Sequence, residues 1–276
     1  PTKAALLFDM VVSAASLQGI SWFEAAGAVM AEGQALRALA DIAGMPATAG
    51  SRLRLDHVPD GDADLVAQLK SAGAILIGKL ATWEFGTGNG GEYFDLPFPP
   101  ARNPWDTERF TGGSSTGAGT AVAAGTAMFA LGSDTTGSVR LPASATGTVG
   151  LIPTPGRLST RGILPNCWSL DIPGPFAWTV EDCAIIMDAL IGVPASGKGA
   201  MSGMGGIGGV GGVNGAGGAH GARSLARAVG QPVAGMHVAV IDDPGPGFPA
   251  ADAALAAGLE EAVRVLEDLG VRITRT

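Results

Sequence analysis

The stretch that decides the fold is TGGSSTGAGTAVAAGTAMFALGSDTTGSVRLPAS, residues 111–144. Glycine, serine and threonine cluster near both of its ends, and a run of small apolar residues separates the two clusters. The simplest interpretation is structural: 114–116 cap a buried helix whose body is 120–130, and GSDTTGS forms the next turn. A chemical interpretation is equally open, in which the two clusters are opposite walls of one catalytic site.

The residue types favour particular chemistry at such a site. Consecutive backbone amides at 135–137 beside the Ser138 hydroxyl suit an oxyanion hole next to a nucleophile. A phosphate-binding loop is excluded because GxxxxGK[ST] requires a lysine, and no lysine lies between Lys79 and Lys198. A serine hydroxyl needs a base at neutral pH, and no GxSxG elbow surrounds either serine. A serine–lysine arrangement, with a desolvated neutral lysine as base, is the natural alternative.

Composition narrows the class of protein. The chain of 276 residues is 46% hydrophobic and only 15% charged, with a net charge of −8. No cluster of lysine and arginine is present, which argues against direct nucleic-acid binding and against binding to an anionic membrane. The longest run of low polarity, 118–131, is too short to span a bilayer.

Cysteine and histidine usage points to a reducing compartment. Cys167 and Cys183 lack metal-ligand spacing, and the three histidines are scattered. We therefore expect no disulfide framework and no zinc site, and a cytoplasmic location.

Working outward from the serine-rich stretch, the sequence predicts alternating helices and strands. Residues 1–45 have helical spacing, and AGMPATAGS at 43–51 is typical of a loop. Residues 62–73 predict an amphipathic helix capped by Asp62, followed by a buried strand AILIGK at 74–79. A helix at 179–192 begins with Thr179 as cap and ends at Gly192. Strand, helix and strand follow from 235 to the end, and this order is typical of an α/β layer.

Composition changes abruptly at 197–222, where 13 of 26 residues are glycine. Such a segment has almost nothing to bury, so we expect a flexible loop or linker.

The serine-rich stretch resembles the signature of the amidase signature family. That signature consists of GGSS-G, a small-residue helix, and then D-x-GGS-[IV]-R-x-PAS. Here GGSSTG occupies 112–117 and GSDTTGSVRLPAS occupies 132–144. AGMPATAGS, FDLPFPPARNPW and VGLIPTPGRLSTRGILPNCWSLDIPGPF are also similar to family segments. The resemblance extends over 41–195 and, less closely, over 232–276.

The resemblance implies amide hydrolysis by a serine, a second serine joined through a cis peptide, and a lysine. It maps the nucleophile to Ser138 and the bridging serine to Ser114, with the cis bond between Gly113 and Ser114. The remaining residues that it maps are the oxyanion-binding amides of Thr135, Thr136 and Gly137, with that of Ser138 beside them, and the supporting residues Ser115, Asp134 and Arg140.

The chain departs from the family pattern at the lysine. Counting back from AGMP places Arg37 where the family has its catalytic lysine, with Ala38 in place of the acid that follows. Arginine does not deprotonate near neutral pH and cannot act as the base. Lys79 corresponds to a different family lysine, outside the triad. Thr136 stands where the family usually has glycine, which adds a side chain but keeps the amide donor.

Three functions follow from the resemblance. The first is an amide-bond hydrolase that works through an acyl-enzyme on a small-molecule amide. The second is an A-type subunit of a tRNA-dependent amidotransferase, which makes ammonia for partner subunits. The third is an inactive amidase-like remnant, because Arg37 stands at the lysine position.

The resemblance also implies the architecture. We expect an α/β fold with a large mixed, twisted β-sheet flanked by helices, built as a single amidase-signature domain over 1–276. Family members are considerably longer, so we expect this domain to be truncated, with its C-terminal part missing. We expect neither a metal nor an organic cofactor, and either a homodimer or a complex with amidotransferase partner subunits.

Overall fold

The computed structural model describes residues 45–87, 101–192, 224–242, 245 and 251–276. The predicted helix at 1–45, Arg37 and the glycine-rich segment 197–222 lie outside the described residues, apart from Met45. The chain divides into two compact units, Pro1–Ala226 and Arg227–Thr276. Both contain helices and strands, as expected for an α/β protein.

The described part of the first unit contains helices α1 (Asp64–Ser71), α2 (Thr116–Ala123), α3 (Arg140–Thr146) and α4 (Val180–Leu190), and strands β1 (Phe129–Asp134), β2 (Val149–Gly150) and β3 (Ile172–Ala177). Short 3₁₀ turns of the chain cover Arg52–Arg54, Glu84–Gly86 and Ala226–Ala228. The three strands form one antiparallel sheet in the order β1–β3–β2.

The central strand β3 separates two hydrophobic cores. Successive side chains of a strand point to opposite faces, and Phe176 and Ala177 are both fully buried in different clusters. Phe176 packs with residues of α2, β1 and α3 and with the residue before α3, namely Ala118, Val122, Ala130, Val139 and Ala143. Ala177 packs with residues of α1, α4 and one loop, namely Leu65, Leu158, Cys183, Ile186, Met187 and Leu190. The sheet therefore holds the serine-rich segments on its Phe176 face.

The apolar run inside the serine-rich stretch is not one helix. The predicted helical body 120–130 is wrong, because α2 ends at Ala123 and β1 begins at Phe129. Gly125 adopts a left-handed φ of 70°, a conformation that glycine reaches without strain and that commonly ends a helix. The run is therefore a helix, a turn and a strand, and the strand delivers Asp134 to the start of the second cluster.

Two predictions around α1 need correction. The segment AILIGK is not a strand: none of the described strands pairs with it, and Ile77 is half-exposed. The helix predicted at 62–73 is confirmed as α1, but its cap is Ala63, which offers no side-chain acceptor. Asp62 instead accepts from the Lys70 ammonium at 2.9 Å, in the last turn of the helix.

Helix α4 begins and ends where the sequence predicts. The Thr179 hydroxyl oxygen accepts from the Asp182 amide at 3.0 Å, and Gly192 follows the helix with φ 77°. Asp188, buried on this helix, accepts from the Ser224 hydroxyl at 2.5 Å and from the Leu225 amide at 2.7 Å. It also accepts from the Ala226 amide at 3.2 Å. The Asp188 carboxylate thus holds residues 224–226 against α4.

The second unit contains β4 (His237–Val240), α5 (Ala253–Asp268) and β5 (Arg272–Arg275), with the two strands parallel. The predicted strand–helix–strand order is confirmed. Asp252 caps α5 by accepting from the Leu255 amide at 2.9 Å. Arg275 pairs with Asp242 at 2.7 Å and with Glu260 at 2.6 Å, which joins β5 to the end of β4 and to α5.

Within these described residues, no helix combines the length and the apolar character that crossing a membrane requires.

The two cysteines are expected to differ strongly in reactivity. Cys183 has no exposed surface, and burial raises the pKa of its thiol to about 11. Because the thiolate is the reactive form, iodoacetamide should modify the half-exposed Cys167 and leave Cys183 unmodified in the native protein, as read by mass spectrometry. A Cys167→Ser variant should then take up no label until it is denatured. Native labelling of Cys183 at the rate seen in denaturant would contradict the buried position.

Candidate active site

The first serine cluster is held by the segment before it. The Gly113–Ser114 peptide bond is cis, as the resemblance implies, and Ser114 is buried. The Ser114 carbonyl accepts from the Trp83 amide at 3.0 Å and from the Thr82 hydroxyl at 2.9 Å. The indole of Trp83 also lies directly over Gly113, where a Cβ would enter the ring.

Ser115 joins the two clusters. Its amide donates to the Ser138 carbonyl at 3.4 Å, while its hydroxyl donates to the Ser133 carbonyl at 3.2 Å. The same hydroxyl oxygen accepts from the Ser133 amide at 3.3 Å. The segments around Ser114 and Ser138 therefore lie side by side, as the catalytic interpretation of the sequence requires.

The turn that carries Ser138 is built around one buried carboxylate. Asp134, at the end of β1, accepts from the amides of Gly137 at 2.7 Å and Val139 at 3.1 Å. It also accepts from the Arg140 amide at 3.3 Å, and the Arg140 guanidinium donates to both carboxylate oxygens at 3.1 and 3.0 Å. The fully buried Asp134 thus fixes the backbone on both sides of Ser138, whose own side chain is half-exposed.

These contacts set the charge state of Asp134. Burial alone raises the pKa of a carboxyl, but the hydrogen bonds from Arg140 and from the Val139 and Gly137 amides outweigh it, and the pKa is lowered. Asp134 therefore stays ionised at neutral pH, and the pKa of its partner Arg140 is raised.

Different contacts are made by the three residues whose backbone amides are predicted to bind an oxyanion, namely Thr135, Thr136 and Gly137. The Gly137 amide is occupied by Asp134. The amides of Thr135 and Thr136 have no acceptor among the described residues. Thr136 is exposed, whereas Thr135 is half-buried and its hydroxyl donates to Asp171 at 2.6 Å. The amides of Thr135 and Thr136, and likewise that of Ser138, are therefore not engaged by other described residues.

The structure adds residues that sequence reasoning missed. Asp171 binds Thr135, and Asn166 donates to the Thr135 hydroxyl at 3.4 Å and to the Gly86 carbonyl at 3.3 Å. Gly86 in turn faces Ser114, since a Cβ placed on it would lie 3.6 Å from the Ser114 hydroxyl oxygen. The signal that could have identified Asp171 and Asn166 is their place in PNCWSLDIPGPF, a polar segment that itself resembles the family.

The described residues do not supply a base for the serines. No described residue makes a hydrogen bond to the Ser114 hydroxyl. The chain has four lysines, of which Lys3 and Lys198 lie outside the described residues. Lys70 pairs with Asp62 at 2.9 Å, and Lys79 donates to the Met45 carbonyl at 2.7 Å. Burial lowers the pKa of Lys79, against a raising effect of Asp62.

Metal ligands do not cluster in the part of the chain that the structure describes: no three histidine, cysteine, aspartate or glutamate side chains come together there.

Proteins that are similar to this chain match more than half of it. The A-type subunit of glutamyl-tRNA(Gln) amidotransferase from Moorella thermoacetica is 51% identical over 149 residues, which cover 54% of this chain and 30% of that relative. The crystal structure of the corresponding protein from Thermotoga maritima superposes with a TM-score of 0.69 at 35% identity, covering 84% of this chain and 46% of that one. A structure described as a vestigial complex that reveals the origins of an s-triazine catabolic enzyme superposes with a TM-score of 0.64 at 36% identity, covering 84% and 46%.

The chain therefore matches less than half the length of these proteins. The sequence profile of the family described as Amidase matches residues 35–276, nearly the whole chain. With a match of that extent, this chain belongs to the amidase family.

Proposed function

We propose that this chain hydrolyses an amide bond of a small molecule, with Ser138 as nucleophile and Ser114 as the group that receives its proton. The observation that carries the proposal is the contact between the two serine segments through Ser115, combined with the buried Asp134 that fixes the turn around Ser138. A nucleophile held on a rigid turn beside backbone amides that can bind an oxyanion is the arrangement that acyl transfer needs.

The reaction has two halves. In the first, the Ser138 oxygen forms a bond to the amide carbonyl carbon, its proton passes to the Ser114 oxygen, and the proton of Ser114 passes to a base. The amides of Thr135 and Thr136 hold the negative oxygen of the tetrahedral intermediate. The carbon–nitrogen bond then breaks, and the leaving nitrogen takes up the proton. In the second half, the oxygen of water bonds to the acyl carbon, the bond from that carbon to the Ser138 oxygen breaks, a proton of water returns to Ser138, and the carboxylic acid leaves.

The scheme also requires a base, which the described residues do not supply. The resemblance places a lysine at position 37, where this chain has arginine, which does not give up its proton near neutral pH. Ser114 is well placed to pass on a proton, since its hydroxyl engages no other described group. The proposal thus requires a proton acceptor within hydrogen-bond distance of Ser114.

A second function is favoured by the relatives. Proteins named as the A-type subunit of glutamyl-tRNA(Gln) amidotransferase are 46–51% identical over the matched residues. In that role the same site would release ammonia from an amide for use by partner subunits. Ammonia release that requires added partner subunits would favour this function, and release by the chain alone would favour the free hydrolase.

A fluorophosphonate probe tests the nucleophile. We expect covalent labelling of Ser138: its oxygen bonds to phosphorus, fluoride leaves, and the serine proton passes through Ser114 to the base. Labelling should be absent in Ser138→Ala and slower by about 100-fold or more in Ser114→Ala, because the proton relay is lost. Mass spectrometry of the digested protein locates the label.

Two controls accompany this test. Ser71→Ala, at the exposed end of α1, and Lys79→Ala should both label at the wild-type rate. A folded wild-type protein that takes up no label would contradict the hydrolase and would favour an amidase scaffold without catalysis.

A further inference from the structure

Residues 166–171 connect the two walls of the candidate site. Asp171 accepts from the Thr135 hydroxyl at 2.6 Å, and its second oxygen accepts from the amides of Asn166 at 2.7 Å and Cys167 at 2.9 Å. The Asp171 carboxylate therefore holds both the loop 166–171 and the side chain of Thr135. Thr135 is the first residue after β1, and its own backbone amide is one of the proposed oxyanion donors.

The same loop reaches the Ser114 side. The Asn166 side-chain amide donates to the Thr135 hydroxyl oxygen at 3.4 Å and to the Gly86 carbonyl at 3.3 Å. Gly86 has φ 71°, and its α-carbon faces the Ser114 hydroxyl. A continuous set of hydrogen bonds therefore runs from the turn beside Ser138, through residues 166–171, to the wall beside Ser114.

We propose that Asp171 is a positioning residue for amide hydrolysis, which fixes the Thr135 backbone amide toward the oxyanion by holding the Thr135 hydroxyl. The inference rests on the proposed function, because it names how the oxyanion donors of that site are oriented. Asp171 acts through Thr135 and does not itself touch the reacting atoms. The bond is short and charge-assisted, and such bonds are the strong ones.

The geometry explains why positioning is needed here. Asp134 holds the Gly137 and Val139 amides but accepts no hydrogen bond from Thr135 or Thr136. The part of the turn that offers amides to an oxyanion is thus tethered by the Thr135 side chain. A misplaced oxyanion donor loses most of its effect, since the donor must meet the oxygen at hydrogen-bond distance in the transition state.

The experiment is a double-mutant cycle on the full chain, with the rate of fluorophosphonate labelling at Ser138 as readout. Asp171→Ala and Thr135→Val should each slow labelling by about 10- to 100-fold. The double variant should label no more slowly than Asp171→Ala alone, because that substitution already removes the bond to Thr135. Thr135→Ser, which keeps the hydroxyl, should restore labelling to near the wild-type rate.

A second readout does not depend on activity. Amide hydrogen exchange of peptides covering 132–139 should speed up in Asp171→Ala and Thr135→Val, because the turn loses its tether. Asp188→Ala is the matched control, since Asp188 also accepts one hydroxyl and two backbone amides, but on α4. It should lower thermal stability while leaving both the labelling rate and exchange in 132–139 as in wild type.

The outcomes separate the two proposals. If wild type takes up no label but Asp171→Ala still speeds amide exchange in 132–139, the proposed hydrolase is overturned. The hydrogen bond between Asp171 and Thr135 would in that case still hold the turn. If wild type labels normally, the effects of the two substitutions on the labelling rate add, and amide exchange is unchanged, only the positioning role of Asp171 is overturned. An equal loss of labelling in Asp188→Ala would show that Asp171 acts only through general stability.

Discussion

Asp134→Ala is expected to abolish labelling of Ser138 and to lower the free energy of unfolding by about 4 kcal/mol, because it leaves backbone amides inside the turn without their charged acceptor. The Gly137 and Val139 amides lose their acceptor, and the turn that holds Ser138 loses its centre. Urea unfolding measures the stability, and the rate of probe uptake measures the geometry of the turn.

The variant Arg140→Gln distinguishes the contribution of the Arg140–Asp134 ion pair to stability from that of the backbone amides that donate to Asp134. The guanidinium is half-exposed, and exposed ion pairs contribute little. Removing it while keeping the carboxylate should therefore cost only about 1 kcal/mol. A loss as large as that of Asp134→Ala would show that the ion pair, and not the set of amides, holds the turn.

The lowered pKa of Asp134 gives the same prediction a pH dependence. A carboxyl whose folded pKa is lowered contributes stability that is present above its unfolded pKa and is lost as the pH falls through the folded pKa. The difference in unfolding free energy between wild type and Asp134→Asn should therefore be constant near neutral pH and shrink below about pH 4. A difference that grows in acid would contradict the ionised, hydrogen-bonded state.

Gly112→Ala is expected to be strongly destabilising near Ser114. A Cβ at this position would lie 2.5 Å from the Pro142 α-carbon, 2.6 Å from the Pro142 nitrogen and 2.8 Å from the Leu141 carbonyl carbon. These are backbone atoms in the first turn of α3, which cannot move aside without shifting the segment after Ser138. Steric overlap of this kind costs about 3 kcal/mol or more, and probe labelling should fall with it.

Gly125→Ala is a control with the same backbone conformation. Gly112 has φ 72° and Gly125 has φ 70°, and both values disfavour a side chain. A Cβ on Gly125 meets nothing within 4 Å, so this variant carries only the conformational cost of about 1 kcal/mol. Equal losses of stability in the two variants would contradict the close approach of Gly112 to α3.

Local sequence rules predicted the elements that have clear caps and periodicity. Helix α4 begins at the predicted cap Thr179, and helix α5 follows a 3.6-residue pattern, so neither requires tertiary information. Strand β3 escaped prediction because Pro173, Gly174 and Pro175 normally exclude a central strand. Its position depends on pairing with β1 and β2, and a local sequence pattern carries no information on strand pairing.

The sequence predicts many residues of the candidate site through its resemblance to a family motif. It predicts less about the contacts that these residues make. The resemblance identified Asp134 and Ser115 as supports, and the contacts that these residues make are those of supporting groups. Asp171 was not identified, because its partner Thr135 lies 36 residues earlier and only the fold brings them together. The engagement of the Gly137 amide by Asp134 is likewise invisible in sequence, since a motif names residues and not hydrogen bonds.

The hydrogen bonds that Asp188 accepts from residues 224–226 affect how well this chain tolerates insertions and deletions. Both ends of the stretch between 192 and 224 are secured on or beside α4, independently of what lies between them. The entropy of closing a loop grows slowly, by about 0.6 kcal/mol for each doubling of its length. An insertion between 192 and 224 is therefore expected to leave the turn that carries Ser138 in place.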